Sequence, residues 1–555
     1  MESARHPLRM VWTLIVTALL FYAVRPLPHD LHGFWLHAQS WFLGNQQQDY
    51  GEGPLFNQEV ILYHMLFTHG YHGPGVYTLD NQPPFTVGNY PPVFALTAAI
   101  FMHWVGVTFT AGRLVSSLAI VGSCIMLFAI VLQGTGQILP AVLAGGLLPT
   151  FSGIFTWGPY NRVDSLALFW SLCTVFIALR FARTRWIWII VPFALLTIYT
   201  RQSLVDGIVA AYCYLLFRDW RRGLLVGAVT VALGFAIFVG LEAWTHGAFY
   251  LNAVVDNENA FNFGNVLGSW RSFMSQQGGR FVFRLAVAGA VAGLFGTGSI
   301  LWAIWLVGSV FVFATIGKVG SSVNYYFPLY AATAACAGVF VGRFRSFFRR
   351  APFFLWPAEL LLPVMLVLYV HGTVPKWVNT VPLAPRVLAL VGHPTANQSA
   401  AAKNANATFD PRWRYTGTPR LITYLSEVQG PVLGSDFPWG VAVQAGHTMQ
   451  WQPFELGQAF ADGTWDPQPF LTAVRDRYYA AIFGHNPYSV GTGIGQWGYQ
   501  ITEAIRGNYH AVTSIDGYAI LERNGPPVAL PGPFPEKVPH PIQGLTGALE
   551  KVVVR

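Results

Sequence analysis

Long apolar runs, separated by short polar junctions, dominate the first 371 positions of the chain. The runs lie near 10–24, 114–132, 138–156, 164–180, 186–200, 203–217, 223–243, 281–297, 299–316, 323–341 and 353–371. A helix needs about 20 apolar residues to cross the ~30 Å hydrocarbon core of a bilayer, and most of these runs approach that length. The pattern predicts a polytopic α-helical membrane protein with about eleven spans.

Residues 91–106 form a shorter apolar run that opens with two prolines, and we expect it to lie on the membrane or dip into it without crossing. Positive residues mark the cytoplasmic side of spans. Arginines cluster at the junctions near 180–185, 218–222 and 343–350. This predicts a multi-pass protein of the plasma membrane with its N-terminus in the cytoplasm. The loop 25–112 and all residues after 371 then lie outside. If residues 91–106 do cross, one other run must fail to cross.

Composition supports a membrane protein. Only 10% of the 555 residues are charged, whereas 53% are hydrophobic, and soluble domains carry about 25% charged residues. This excludes an ordinary soluble enzyme, a disordered chain and a nucleic-acid-binding domain. The net charge of +8 comes mainly from the clusters between apolar runs. All four cysteines lie inside apolar runs without CxxC spacing, so we expect neither a disulfide framework nor a zinc site.

The character of the chain changes after residue 371, where polar residues and glycines become more frequent. We divide the chain into a transmembrane module over 1–371, a linker over 372–408 and a small extracytoplasmic α/β domain over 409–555. Helix-like and strand-like segments alternate in the last part, which is typical of an α/β domain. The helices are expected near Pro469–Arg477 and Thr502–Arg506, and the strands near Tyr478–Phe483 and Tyr518–Leu521.

Two acids, Asp49 and Glu52, stand in a glycine-containing segment of the predicted outer loop, before a helix-like run from Leu55 to Phe67. Glycine lets a backbone approach a ligand closely, and a carboxylate at the outer face can serve as a general base. The alternative is a solvated loop with a helix cap.

Three further junctions carry cations that suit an anionic ligand, since arginine pairs bidentately with phosphate. Arg162 stands two residues before Asp164, Arg201 follows an apolar run, and Lys318 is the only lysine before residue 376. The alternatives are a helix cap for Asp164 and interfacial anchoring for Arg201 and Lys318.

Amide and aromatic side chains near these junctions suit a sugar or a lipid headgroup. Asn257 lies in a segment of amides and acids, Asn324 follows Lys318 by six residues, and Tyr90 precedes the stiff Pro91–Pro92 pair. The alternatives are a polar surface loop and a rigid connector.

Together these motifs resemble the C-type integral-membrane glycosyltransferases, which include the protein O-mannosyltransferases and the aminoarabinose transferases of lipid A. The resemblance covers the whole chain, although each motif alone is loose. Its motifs are Asp49–Glu52, Tyr90–Pro92, Gly112–Arg113, Arg162–Asp164, Thr200–Arg201 and Gln452–Leu456.

The resemblance implies that a sugar moves from a polyprenyl-phosphate-linked donor to an acceptor hydroxyl at the outer face, with inversion. Asp49 or Glu52 would act as the base, and Arg201, Lys318 and Arg162 would stabilise the leaving phosphate. The acids are three residues apart here, whereas family members often have adjacent acids, so both stay candidates and Asp49 comes first.

We also expect the following acceptor, partners and cofactors. The acceptor is a lipid, a glycan or a protein, the bilayer is a partner, and nucleic acid is not. No cofactor is required, and a divalent metal held by Asp164 is left open. The competing functions are a lipid or sugar transporter or flippase, and a non-catalytic polysaccharide-assembly protein.

Overall fold

The structure, a computed structural model, divides the chain into two compact units. The first comprises Met1–Gly44, Arg113–Val231 and Phe261–Arg414, and the second comprises Asn45–Gly112, Ala232–Ala260 and Tyr415–Arg555. The described residues are 2–25, 33–35, 37–38, 47–79, 81–276, 279–295, 299–348, 353–367, 419–434, 439–461, 463–485, 487–488 and 498–526. The predicted linker over 372–408 lies outside them.

The apolar runs fold into helices, as predicted. Five are long and apolar enough to cross a membrane, namely Phe109–Thr135, Val163–Phe181, Trp220–Trp244, Ile300–Gly317 and Val323–Phe348. Five shorter apolar helices are Pro7–Ala23, Val93–Val105, Ile138–Thr150, Arg185–Thr200 and Leu355–Val367. The first unit also contains the helices Asp206–Arg218, Phe263–Ser275 and Gly279–Leu294. The helical class is confirmed, while the count of eleven spans and the orientation stay predictions.

Two runs depart from simple spans. The helix Val93–Val105 has 13 residues, or about 20 Å at 1.5 Å per residue, which is too short to cross ~30 Å upright. The run at 138–156, which we expected to be one helix, is broken into Ile138–Leu147, a 3₁₀ turn Leu148–Thr150 and Ser152–Trp157. The break is at Pro149 and the extended Phe151, because proline cannot continue the hydrogen-bond ladder.

Small residues let helices of the first unit approach closely. A Cβ added at Gly289 would lie 1.9 Å from the carbonyl oxygen of Cys336, so the helices Gly279–Leu294 and Phe327–Phe348 meet backbone to backbone. Gly145 is similarly close to the carbonyl oxygen of Cys124. Such contacts are typical of helix packing in membranes, where burial of apolar area does not drive association.

The second unit contains a four-stranded sheet in the order β1-β2-β4-β3. The strands are β1 Val432–Gly434, β2 Ala481–Gly484, β3 Tyr509–Ile515 and β4 Tyr518–Arg523. β1 is parallel to β2, and β4 is antiparallel to β2 and β3. The predicted α/β character is confirmed for the described part, with helices at Pro419–Glu427, Gly440–Gln444, Pro453–Ala461, Gln468–Arg475 and Tyr499–Asn508.

Residues of the predicted outer loop belong to this same second unit. Phe85 pairs with Trp451 in a parallel bridge, in which Phe85 N donates to Gln450 O at 3.2 Å and Gln452 N donates to Phe85 O at 3.1 Å. The helix Glu52–Phe67 contributes Phe56 to a cluster with Trp439 and Met449. The loop and the C-terminal residues therefore share apolar cores.

Candidate functional site

A buried ion pair lies at the ends of two helices in the first unit. Asp164 lies in the first turn of Val163–Phe181, and Arg201 follows directly after Ile190–Thr200. Arg201 Nη1 donates to Asp164 Oδ1, and only 3% of Arg201 and 1% of Asp164 are exposed. Removing two charges from water costs several kcal/mol per ion, so each charge depends on its partner.

Two residues from a third junction complete the surroundings of this pair. Asn324 Nδ2 donates to the same Asp164 Oδ1 at 3.1 Å. The guanidinium carbon of Arg201 lies 4.4 Å from the centroid of the Tyr325 ring, and the Tyr325 hydroxyl hydrogen-bonds with the side chains of Arg201 and Ser321. Arg201 is therefore held by a carboxylate and by an aromatic ring.

Two further cations lie near the pair. Arg162 Nε is 3.8 Å from Asp164 Oδ2, and Lys318 interacts electrostatically with Tyr325. We call Arg162, Asp164, Arg201, Lys318, Asn324 and Tyr325 the cationic cluster. Three cations against one carboxylate leave the cluster with net positive charge. Preorganised cations of this kind bind a phosphate and stabilise charge on it.

The structure decides between the alternatives left open for two of these residues. The N-cap of helix Val163–Phe181 is Arg162, and no side-chain cap hydrogen bond forms there, so Asp164 is not the cap. Arg201 is buried and ion-paired, so it does not extend to an interface. Tyr325 was missed by the sequence reasoning, and its only signal was its position next to Asn324.

The surroundings of Asp164 do not fit a metal ion. Its Oδ1 already accepts from Arg201 and Asn324, and the Arg162 guanidinium lies 3.8 Å from Oδ2. Within the described ranges, no group of three or more His, Cys, Asp and Glu residues is arranged to hold a metal. We therefore derive no step through a metal, and metal dependence stays a question for the assay.

The two predicted bases lie in the second unit and differ in burial. Asp49 is partly exposed, and its Oδ2 accepts from Gly51 N at 3.0 Å. Glu52 is completely buried in the first turn of its helix, and its Oε2 accepts from Gln48 N at 2.7 Å. A base must reach the acceptor hydroxyl, and this difference favours Asp49.

Two predicted sugar-binding residues, Tyr90 and Asn257, also lie in the second unit. The Tyr90 carbonyl accepts from the Tyr77 hydroxyl at 2.9 Å, and Asn257 Nδ2 donates to the Asn89 carbonyl at 3.2 Å. Asn257 therefore holds the backbone of segment 89–90 in place. The structure thus brings Arg162, Asp164, Arg201, Lys318 and Asn324 together in one unit, and Asp49, Glu52, Tyr90 and Asn257 in the other.

Several acids of the first 371 residues are buried in the protein. Glu59 and Asp256, like Glu52 and Asp164, are almost completely enclosed by protein. Buried carboxylates are retained where other groups bind them, as the Asp164 contacts show.

Comparison with solved structures finds the same fold in ArnT from Cupriavidus metallidurans. Its crystal structure bound to undecaprenyl phosphate matches with a TM-score of 0.54 and 14% sequence identity, covering 95% of this chain and 99% of that one. The apo structure of the same protein matches with a TM-score of 0.50 and 12% identity, covering 93% and 98%. No family model and no curated protein sequence matches this chain. The resemblance predicted from the sequence is confirmed for the fold.

Proposed function

We propose that the protein is a membrane glycosyltransferase that uses a polyprenyl-phosphate-linked sugar donor. The observation that carries this proposal is the buried cationic cluster, in a chain that has the fold of ArnT along almost its whole length. ArnT has been solved with undecaprenyl phosphate, which is the lipid that such a transfer would release.

In this proposal the cationic cluster binds the phosphate of the donor. Negative charge grows on that phosphate as the bond from the sugar to the phosphate oxygen breaks, and cations fixed in place stabilise it without reorganisation. Arg201 is the central cation because Asp164 and Tyr325 orient its planar guanidinium. Asp164 is then a positioning residue for Arg201, while Arg162 and Lys318 add positive charge.

The acceptor hydroxyl attacks the anomeric carbon from the side opposite the phosphate, so the configuration inverts. Asp49 takes the hydroxyl proton, and Glu52 is the second candidate base. Asn324 Oδ1 is buried and has no hydrogen-bond partner among the described residues, so it offers an acceptor for a sugar hydroxyl. Tyr90 and Asn257 complete the proposed set of sugar-binding residues.

The location follows from the same reasoning. The donor lipid lies in the plasma membrane, and transfer takes place at the outer face. The acceptor is a hydroxyl of a lipid, glycan or protein, and the sugar is a hexose or a close relative. Catalysis needs no cofactor in this proposal.

The experiment is a donor assay on the purified protein in detergent. A panel of undecaprenyl-phosphate sugars is supplied with a total envelope extract, which contains lipids, glycans and proteins as acceptors, and release of undecaprenyl phosphate is measured. We expect release from at least one donor, and a loss of about 100-fold or more in Asp49→Asn, since general-base catalysis contributes 10²–10⁴. Asp219→Asn is the matched control, because Asp219 is exposed and forms a surface ion pair with its neighbour Arg222 at 3.7 Å.

Two outcomes would contradict the proposal. Release from no donor would remove the transferase function. Release that persists in Asp49→Asn and in Glu52→Gln would remove the carboxylate mechanism. A transporter would bind the sugar-linked lipid without releasing undecaprenyl phosphate from it. A transporter would also place its charges near the middle of spans, whereas the members of the cationic cluster lie at helix ends.

A further inference from the structure

A short hydrogen bond joins the acidic segment to the C-terminal residues within the second unit. The Tyr50 hydroxyl donates to Glu455 Oε2 at 2.6 Å, and Tyr50 is the immediate neighbour of Asp49. Glu455 lies in the first turn of helix Pro453–Ala461 and is only 6% exposed. The N-terminal end of a helix favours a carboxylate, and hydrogen bonds to ionised acceptors are short and about twice as strong as neutral ones.

Tyr50 stays protonated as the donor in this bond. Burial, together with the charge of Glu455 and its hydrogen bond, raises the pKa of Tyr50 well above its ordinary value. The contact therefore persists over the whole neutral range.

The same carboxylate also reaches the segment that carries Tyr90. Asn89 Nδ2 lies 3.5 Å from Glu455 Oε1, at the limit of a hydrogen bond. The Asn89 carbonyl in turn accepts from Asn257 Nδ2. The Glu455 side chain thus connects segments 49–52 and 89–90, and Asn257 is joined to the second of these through the Asn89 carbonyl.

Other contacts hold the acidic segment independently of Glu455. Phe454 N donates to the Tyr50 hydroxyl at 3.3 Å, and the Tyr50 ring packs edge-on against Trp439 with centroids 4.9 Å apart. Gln47 accepts from Gly440 N at 2.8 Å and donates to the carbonyl oxygen of Asp49 at 3.0 Å. A variant that lacks only the Glu455 carboxylate should therefore fold, with the segment held less precisely.

We infer that Glu455 is a positioning residue that fixes the acidic segment 49–52 and the segment 89–90 in one arrangement, which gives the C-terminal α/β region a direct part in the reaction. The meaning of this arrangement for catalysis rests on the proposed function. The arrangement itself can be tested without any turnover.

The first test measures backbone hydrogen exchange by mass spectrometry in Glu455→Ala, Glu455→Gln and Tyr50→Phe. We expect amides in peptides covering 48–52 to exchange about tenfold faster in Glu455→Ala and in Tyr50→Phe, the effect of losing one charged hydrogen bond. Amides in 88–90 should exchange faster in Glu455→Ala, which also removes the contact with Asn89. Glu455→Gln keeps an amide oxygen as acceptor and should recover most of the protection. Glu503→Ala is the control, because Glu503 is an exposed partner of Arg506 in the same region.

The second test separates kcat from KM for the undecaprenyl-phosphate sugar that the donor assay identifies. Mispositioning of the base should lower kcat at least tenfold in Glu455→Ala and leave the donor KM within about twofold. Glu455→Gln should restore kcat most of the way. The kinetics of each variant are measured well below its melting temperature, under conditions in which its size-exclusion profile matches that of the wild type.

The outcomes distinguish this inference from the proposed function. Unchanged exchange in both Glu455→Ala and Tyr50→Phe would overturn the positioning role, even in an active enzyme. Faster exchange with unchanged kcat would overturn its part in the reaction. Faster exchange in a protein that turns over no donor would support the positioning and contradict only the proposed function.

Discussion

Arg201 and Asp164 form an almost completely buried ion pair between the end of one helix and the first turn of another, 37 residues apart in the chain. The pair explains how a charged guanidinium can be stable and oriented among buried helices. Asp164 compensates its charge, and Tyr325 fixes its plane. In the proposed function, the net positive charge of the cluster attracts the phosphate of the donor.

The first prediction concerns stability. Arg201→Gln leaves a buried carboxylate without its cation, and Asp164→Asn leaves a buried guanidinium without its anion. Each should destabilise the protein by about 3 kcal/mol or more. The double variant should lose much less than the sum of the two, because it removes both members of the buried pair. Thermal unfolding of the four proteins in one detergent measures this coupling, and additive losses would show that the two side chains do not depend on each other.

The second prediction separates geometry from charge at Arg201. Arg201→Lys keeps the positive charge but loses the planar fork that binds phosphate oxygens bidentately. Donor turnover should fall about tenfold or more, with a much smaller loss of stability than in Arg201→Gln. Arg222→Lys changes a partly exposed arginine outside the cationic cluster, and it should leave turnover unchanged and cost little stability. Full turnover in Arg201→Lys would mean that a point charge is sufficient at this position.

The third prediction concerns helix packing. Gly289→Ala would drive a methyl group into the Cys336 carbonyl, and overpacking of this kind costs about 1–3 kcal/mol. Gly268→Ala is the matched control, since nothing lies within 4 Å of its added Cβ in helix Phe263–Ser275. Alanine there should be neutral or stabilise by about 0.5–1 kcal/mol. Equal melting temperatures of the two variants would contradict the close helix contact.

Parts of this structure could be predicted from local sequence. Apolar run length predicts the helices, and alternating segments predict helix Gln468–Arg475 and β4. β3 was not predicted, because most of its side chains are exposed on both faces and show no alternation. The break at Pro149 was also missed, because the spans were placed by apolar run length, which takes no account of a proline inside a run.

The site could be predicted only in part, for a related reason. Arg201 and Asp164 were recognisable as polar residues at junctions, but their pairing depends on tertiary packing. Asn324 reaches Asp164 across 160 residues, and Tyr50 reaches Glu455 across 405 residues. Contacts of such separation leave no local pattern, so the roles of Tyr325 and Glu455 follow only from the fold.

The fourth prediction concerns pH. Burial lowers the pKa of the His37 imidazole to about 4, against a smaller opposing effect of the Thr156 backbone, and the ring stacks on Phe155 with centroids 4.8 Å apart. In the unfolded chain the pKa is about 6.5, so protons bind the unfolded state more tightly. The contribution of neutral His37 to the free energy of unfolding is therefore fully present above about pH 6.5, and it is lost as the pH falls towards 4.

The measurement for this prediction is the melting temperature in detergent between pH 7.5 and 5. Wild type should melt at progressively lower temperature below about pH 6.5, and His37→Gln should show a flatter dependence. Parallel curves for the two proteins would show that His37 is not responsible for the acid sensitivity.

The most direct test of the central claim is equilibrium binding of undecaprenyl phosphate, with undecaprenol as the ligand that lacks only the phosphate. In nanodiscs, the wild-type protein should bind the phosphate lipid at least about tenfold more tightly than the alcohol, since one charge-assisted pair contributes about that much. Arg201→Lys, which keeps the buried charge, should lose most of this preference, and Arg222→Lys should keep it. Equal affinity of the wild-type protein for the two lipids, or a preference that survives in Arg201→Lys, would contradict the assignment of the cationic cluster as an arginine-centred phosphate site.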